Sequence, residues 1–301
     1  MKGVFTMKKF ISIISSAAIA AGMVSAINVN AADTAEGPSV YFKVSDEGVG
    51  VETLKYGTIF VNTKANGSYG AAFPCAVYLK DDSKKAGQVF VKWSTNNKNL
   101  KLSGLTGPVE LYGSTPFKGF GAEDMNLNTF DELNVMAVNY SKISSEKPME
   151  LNGETTDAYP LACFDAKFAD GAEGGSYALQ VYSEGAYFSG VVERNGDGTF
   201  KEYDPADYSK PLLINASDRN LGDINNDGKW DSVDVSGIMK EYTKVSSGQD
   251  GIFDGNQRAA ADINGDGMID AVDASNLLAY YAYISGNKGN SSLNDFVKNR
   301  K

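Results

Sequence analysis

The feature that most constrains this chain is a twelve-residue pattern that occurs twice, 39 residues apart. The first copy places Asp223, Asn225, Asp227, Gly228, Lys229, Asp231 and Asp234 at positions 1, 3, 5, 6, 7, 9 and 12. The second places Asp262, Asn264, Asp266, Gly267, Met268, Asp270 and Asp273 at the same positions. Oxygen-bearing side chains at this spacing curl a loop around one hard cation, and calcium, which takes about six to eight oxygens, suits it. The glycine allows the sharp turn. Position 7 contributes its backbone carbonyl, so Lys229 and Met268 belong to the ligand sets whatever their side chains. A single copy could be an Asx-rich surface turn. Two complete copies, each followed by a matching helix, argue for two bound Ca2+ ions.

After the first loop, Val235, Ile238, Met239 and Tyr242 are apolar or aromatic; after the second, Ala274, Leu277, Leu278 and Tyr281. Spacing of i, i+3, i+4, i+7 puts each set on one stripe of a helix, and the two helices are expected to pack through these stripes. Residues 256–261 read as a short helix leading into the second loop. A module this small has a marginal core, so its folding should be tied to the metal.

This duplicated loop–helix pattern has Asp at position 12 and no helix before the first loop. Over residues 221–286 it resembles the dockerins of cellulosome-like assemblies. The resemblance implies a small all-α calcium-binding module with two EF-hand-like loop–helix repeats, acting as a plug for a cohesin on a larger scaffoldin. It also implies contacts at loop positions 10 and 11 and along the following helix. Here those are Ser232, Val233, Met239, Lys240 and Lys244 in one half, and Ala271, Val272, Leu278, Ala279 and Tyr283 in the other. Lys240 and Lys244 correspond to Ala279 and Tyr283, so the two faces differ and one docking orientation should dominate. Met239 and Leu278 could equally be core residues of their stripes. Residues 287–301, rich in Gly, Asn, Ser and Lys, are expected to be disordered.

Residues 33–203 change character, with short alternating runs and Gly, Asn and Asp punctuation. Strand candidates are 58–62, 72–79, 88–93, 133–140, 161–168, 177–182 and 187–192, an all-β sandwich pattern. Asn195-Gly196-Asp197-Gly198 reads as a hairpin turn. The stretch from Asp157 through Pro160, Cys163, Lys167 and Gly171 to Tyr177, Leu179 and Val181 is similar to the late strands of cohesins. Residues 76–80, 87–93, 100–105 and 133–141 are similar to other cohesin strands in order and spacing. Two departures stand out: Trp93-Ser94-Thr95-Asn96 replaces the Tyr-Asp-Pro of many cohesins, and 104–128 is longer and more irregular. The resemblance implies a cohesin-like sandwich of jelly-roll type with a binding sheet including 88–93 and 136–140. Gln88, Lys92 and Asn139 are then either contacts or ordinary solvent-facing strand residues. Residues 204–220, with Pro205 and Pro211, are expected to be a short linker.

Lys8 and Lys9 precede an apolar run and a small-residue exit at Val29-Asn30-Ala31, so residues 1–31 read as a secretory signal peptide. The apolar run is too short to span a bilayer. The mature protein is therefore expected outside the cell, held to a surface through a scaffold and not by membrane insertion. The chain carries a formal charge of −10, and the signal segment holds three of its lysines and no acid. Such a surface disfavours nucleic acid and anionic membranes as partners. The chain has no histidine, which removes imidazole-based catalysis and His-ligated zinc. Cys75 and Cys163 lie in strand-like runs, as free thiols or as a bridge.

These readings favour a non-enzymatic adaptor scaffoldin that binds dockerin-bearing enzymes through its sandwich and docks through its plug. A dockerin-borne carbohydrate-binding module for plant polysaccharide is the alternative, with Tyr112, Phe117 and Phe120 as candidate stacking residues. A small glycan-active enzyme using paired carboxylates is a third.

Overall fold

The computed structural model describes residues 37–45, 50–65, 72–142, 147–182, 189–286 and 289–300; the segment read as a signal peptide lies outside them. Alternation along β5 (Ala86–Thr95) sets the plan of the sandwich. Val89, Val91 and Trp93 are fully buried on its inner face, as the period of two requires. Its partner β8 (Val135–Ser141) turns Met136, Val138 and Tyr140 into the same core.

One sheet has the order β1 (Ser39–Val44), β4 (Phe73–Lys80), β9 (Ala162–Phe168), β6 (Leu100–Thr106). The other runs β12 (Phe200–Tyr203), β11 (Gly190–Arg194), β5, β10 (Gly175–Val181), β13 (Leu212–Ser217), β3 (Ile59–Asn62), β2 (Val51–Thr53). Strand β8 pairs with β5 beside that path and carries β7 (Asn126–Phe130). Pairing is antiparallel except between β13 and β3, which are parallel. The inner faces meet through ring pairs such as Trp93–Phe164 at 5.4 Å and Phe73–Phe168 at 5.9 Å. These geometries contribute beyond area burial. The expected hairpin is present: Asn195 N donates to the Thr199 carbonyl, and Gly198 takes a φ of 84° that glycine tolerates.

The irregular stretch is partly core. After the short helix α1 (Val109–Tyr112), Phe117 is fully buried and packs edge-on against Phe120 and Tyr140. Two of the three aromatics considered for sugar stacking are thus spent on packing, and only Tyr112 is exposed. Cys75 and Cys163 are buried free thiols. They sit on adjacent strands in the registers Cys75↔Phe164 and Ala76↔Cys163. One faces the core and the other faces Tyr78 on the outer side. Burial pushes the Cys163 thiol up to about 11.

Two expected boundaries are corrected. Residues 204–220 are not a linker: 212–217 form β13, hydrogen-bonded to β10 and β3. Pro211 ends before the first paired residue, so it blocks no ladder bond, and the apolar run Leu212-Leu213-Ile214 is free to pair. Nor are residues 289–300 of the tail disordered, because α5 (Leu293–Asn299) buries Leu293 and Val297 in the helical module. Ser292 caps it by accepting from Asp295 N.

The helical module comprises α2 (Ser232–Ser246), α3 (Gly255–Ala261) and α4 (Ala271–Ser285), closed by α5. Its core gathers Leu221, Ile224, Ile238, Ala260, Ala261, Ile263, Ala274, Leu277 and Tyr280, and it includes Leu54 and Phe60 of the sandwich. The two modules therefore share one continuous apolar cluster. Glu241 fastens α2 to the segment before α3: it accepts from Phe253 N at 3.0 Å and pairs with Arg258 at 2.6 Å.

Candidate functional site: two acidic loops and the helix faces beside them

Each loop is held open by its own backbone amides, and most of these bonds recur in both copies, except that the first acid accepts from the amide at position 5 in one loop and at position 4 in the other. In the first, Asp223 accepts from Asp227 N and Gly228 N, Asn225 Oδ1 from Asp227 N, and Asp227 Oδ1 from Lys229 N. Asp234 folds back to accept from Ile224 N, Asn225 N and Asp231 N. In the second, Asp262 accepts from Gly265 N and Gly267 N, Asn264 Oδ1 from Asp266 N, and Asp266 Oδ1 from Met268 N. Asp273 accepts from Ile263 N, Asn264 N and Asp270 N. Position 12 thus closes each loop onto its beginning, which the shorter Asp achieves from the first turn of the exiting helix. Asp231 and Asp270 also cap α2 and α4, accepting from Val233 N and Val272 N.

The charge of these loops calls for a cation. Asp223, Asp234, Asp262 and Asp273 are all buried, and among the described residues no lysine or arginine side chain pairs with them. Burial pushes Asp262 up to about 7, with Asp266 adding to the rise. It raises Asp273 strongly and Asp234 as well. An uncompensated buried carboxylate is costly, and a divalent ion among amide and carboxylate oxygens relieves it. No three carboxylates or thiols among the described residues form an all-acid cage. Calcium needs none, because Asn225, Asn264 and the position-7 carbonyls supply neutral oxygens. The residues fit the ion.

The surroundings of the loops differ. Residues 225–229 of the first are exposed, whereas Asn264 and Gly265 of the second are buried. The second loop lies against the β2–β3 turn and β13. Tyr56 N donates to the Asn264 carbonyl at 3.1 Å, Thr58 Oγ1 to the Gly265 carbonyl at 2.7 Å, and Asn215 Nδ2 to Asp262 Oδ2 at 2.9 Å. None of the three sandwich residues stood out in the sequence, because their role depends on a module interface that a linker reading leaves out.

The helix faces are open in one half and partly occupied in the other. Ser232, Val233, Met239, Lys240 and Lys244 are all exposed, Val233 at 57%. Ala271, Val272 and Leu278 are exposed, the last two at 51% each, while Ala279 and Tyr283 are half-buried. Tyr283 packs on Phe296 at 5.1 Å, and Arg300 Nη1 donates to Ser275 O and Asn276 Oδ1. Met239, Leu278 and Tyr281 are therefore not core, contrary to the stripes drawn from spacing. The buried face of α4 is Ala274, Leu277 and Tyr280. Tyr280 turns inward to join Trp230, Tyr283 and Phe296 in an aromatic cluster that the tail helix completes.

On the sandwich, Lys92 is only 4% exposed and lies over the Tyr182 ring, so it is not the solvent-facing residue expected. Gln88 and Asn139 are half-buried and face each other at 3.5 Å.

Residues 221–280 match the family described as dockerin type I domain. Nothing among curated proteins matches the chain. Among solved structures, the chain is similar to the seventh ScaB type I cohesin of Pseudobacteroides cellulosolvens. That match has 11% identity, covers 50% of this chain and 84% of that one, and has a TM-score of 0.36. It is similar to the complex of the OlpA cohesin with a dockerin from Clostridium thermocellum at 12% identity, covering 59% and 99%, with a TM-score of 0.35. It is also similar to CaCohA2 of Clostridium acetobutylicum at 15%, covering 60% and 92%, with a TM-score of 0.35. No helix among the described residues is long and apolar enough to cross a membrane. The helical module of this chain, with its paired acidic loops, is a dockerin type I domain carried on a β-sandwich.

Proposed function

We propose that this protein is a secreted, non-enzymatic adaptor of a cellulosome-like complex. Its dockerin binds two Ca2+ ions, one in each loop, and docks onto a cohesin of a larger scaffoldin that holds it at the cell surface. Its sandwich receives the dockerin of a polysaccharide-degrading enzyme. The observation that carries the reading is that the dockerin leaves its helix faces outward even though its second loop is packed on the sandwich. Exposed apolar side chains flanked by lysines at the centre of one face suit a desolvated protein contact. The α2 face, with Val233, Met239, Lys240 and Lys244, is the principal docking surface. The chain's own tail already engages Tyr283 and Ser275 on the α4 face.

Calorimetric titration of the calcium-loaded chain with a panel of type I cohesins tests the docking arm. One cohesin should bind one-to-one. Val233→Asp should weaken binding by about a hundredfold or more, because it puts a charge into the contact centre, and Val272→Asp should weaken it far less. Equal losses would show that both faces are used, and undiminished binding in excess chelator would contradict calcium-dependent docking.

A further inference from the structure

The two loops share their spacing and most of their internal hydrogen bonds, yet among the described residues only the second touches the sandwich through its first acid. Among the described residues, Asp223 accepts only from amides of its own loop. Asp262 accepts in addition from Asn215 Nδ2, a side chain of β13 that is itself buried. Asn215 is not free to turn away, because its Oδ1 accepts from Ser176 Oγ on β10 at 2.7 Å. That bond fixes which end of the amide faces Asp262. The Asn264 and Gly265 carbonyls are held by Tyr56 N and Thr58 Oγ1.

The sequence carries a second sign of the same fit. At position 4 the first loop has Asn226, exposed, with a φ of 61°. The second has Gly265, with a φ of 78° and no room beside it, because a Cβ there would stand 2.6 Å from Leu54 Cβ. Left-handed backbone alone does not require glycine, since Asn226 adopts it too. The close approach of Leu54 does. Next to the loop, a Cβ on Gly255 would overlap the Gly174 carbonyl, so α3 also sits directly on sandwich backbone.

We propose that Asn215 is a positioning residue for the second calcium loop, so that loading of that loop and seating of the dockerin on the sandwich are one coupled event. This rests on the reading of the loops as calcium sites. A ligand carboxylate oriented by an outer partner is pre-set for its ion, and loss of such partners typically costs about 10–100-fold in metal affinity. The first loop is open to solvent over residues 225–229, and its first acid has no sandwich partner among the described residues, so it then reports calcium without reference to the sandwich.

The test is a calcium titration of the metal-stripped full chain by calorimetry, with Asp262→Ala isolating the first loop and Asp223→Ala isolating the second. Asn215→Ala should weaken the second loop about tenfold or more and leave the first within twofold. Gly265→Asn alters neither a side-chain ligand nor a sandwich residue, and it copies what the first loop carries. It should weaken the second loop in the same way, and small-angle scattering of the calcium-loaded variant should show an extended particle where the wild type is compact. If both substitutions leave the second loop unchanged, the coupling is overturned while the calcium reading stands. If the wild-type chain takes up no calcium, the reading of the loops fails and the coupling fails with it.

Discussion

The sandwich and the dockerin reach a folded state by different means. The sandwich buries Trp93, Phe73, Phe117, Tyr140 and Leu179 between two sheets, with its polar backbone satisfied by strand ladders. The dockerin surrounds a smaller core with four buried loop aspartates, Asp223, Asp234, Asp262 and Asp273. The first arrangement is stable by apolar burial alone. The second encloses charge that a bound cation, or protonation, has to offset if the fold is to hold. The shared apolar cluster around Leu54 and Phe60 is where the two arrangements meet.

The comparison breaks most sharply on metal removal. Excess chelator, or Asp223→Ala with Asp262→Ala, should abolish the dockerin's helical circular dichroism at 222 nm (~all of the signal from α2 and α4). The near-ultraviolet signal of buried Trp93 should persist. Simultaneous loss of both signals would mean that the sandwich depends on the metal too. Trp93→Ala should work in the opposite direction, costing the sandwich about 3–5 kcal/mol in denaturant unfolding while calcium binding by the first loop is retained. A smaller effect is expected from Leu293→Ala, which removes the tail helix's main anchor. It should cost about 2–4 kcal/mol, confined to the dockerin, and an unchanged midpoint would return the tail to the role of a dispensable extension.

The smallest expected effect concerns pH. In the metal-free dockerin, Asp262, Asp273 and Asp234 all have carboxyls raised by burial, Asp262 to about 7. The folded form therefore holds protons that the unfolded chain, with carboxyls near pH ~4, has released. Stability from this source is present below pH ~4 and is lost as pH rises toward about 7. The metal-free module should recover at about pH 5 part of the helical signal that it lacks at about pH 7.5. Calcium should reverse the order, because the ion requires the deprotonated acids. A metal-free helical signal that grows as pH rises across this window would contradict the buried-acid account.

The legible parts of this molecule are those in which chemistry fixes residue type at fixed spacing. The loops were legible because oxygen-bearing residues recur at set positions, and β5 because its core residues Val89, Val91 and Trp93 alternate along the strand. The tail helix was hidden because its apolar residues, Leu293, Phe296 and Val297, form a single turn inside a polar stretch, and a helix that short depends on tertiary contacts. Strand β13 was obscured by the prolines before it. On α4 the spacing identifies Ala274 and Leu277 as inward but not Tyr280, whose place depends on Phe296 of the tail helix, while Leu278 and Tyr281 face outward. Asn215, Thr58 and Gly265 carry no signal until the modules are seen together.

The measurement that bears most directly on the adaptor is calorimetric titration of the calcium-loaded full chain with enzyme-borne dockerins, set beside the same titration with plant polysaccharides. Saturable one-to-one binding of a dockerin, with no heat from any polysaccharide, is the predicted result. Binding to a polysaccharide without response to any dockerin would contradict the account and make the sandwich a substrate-targeting module on a dockerin.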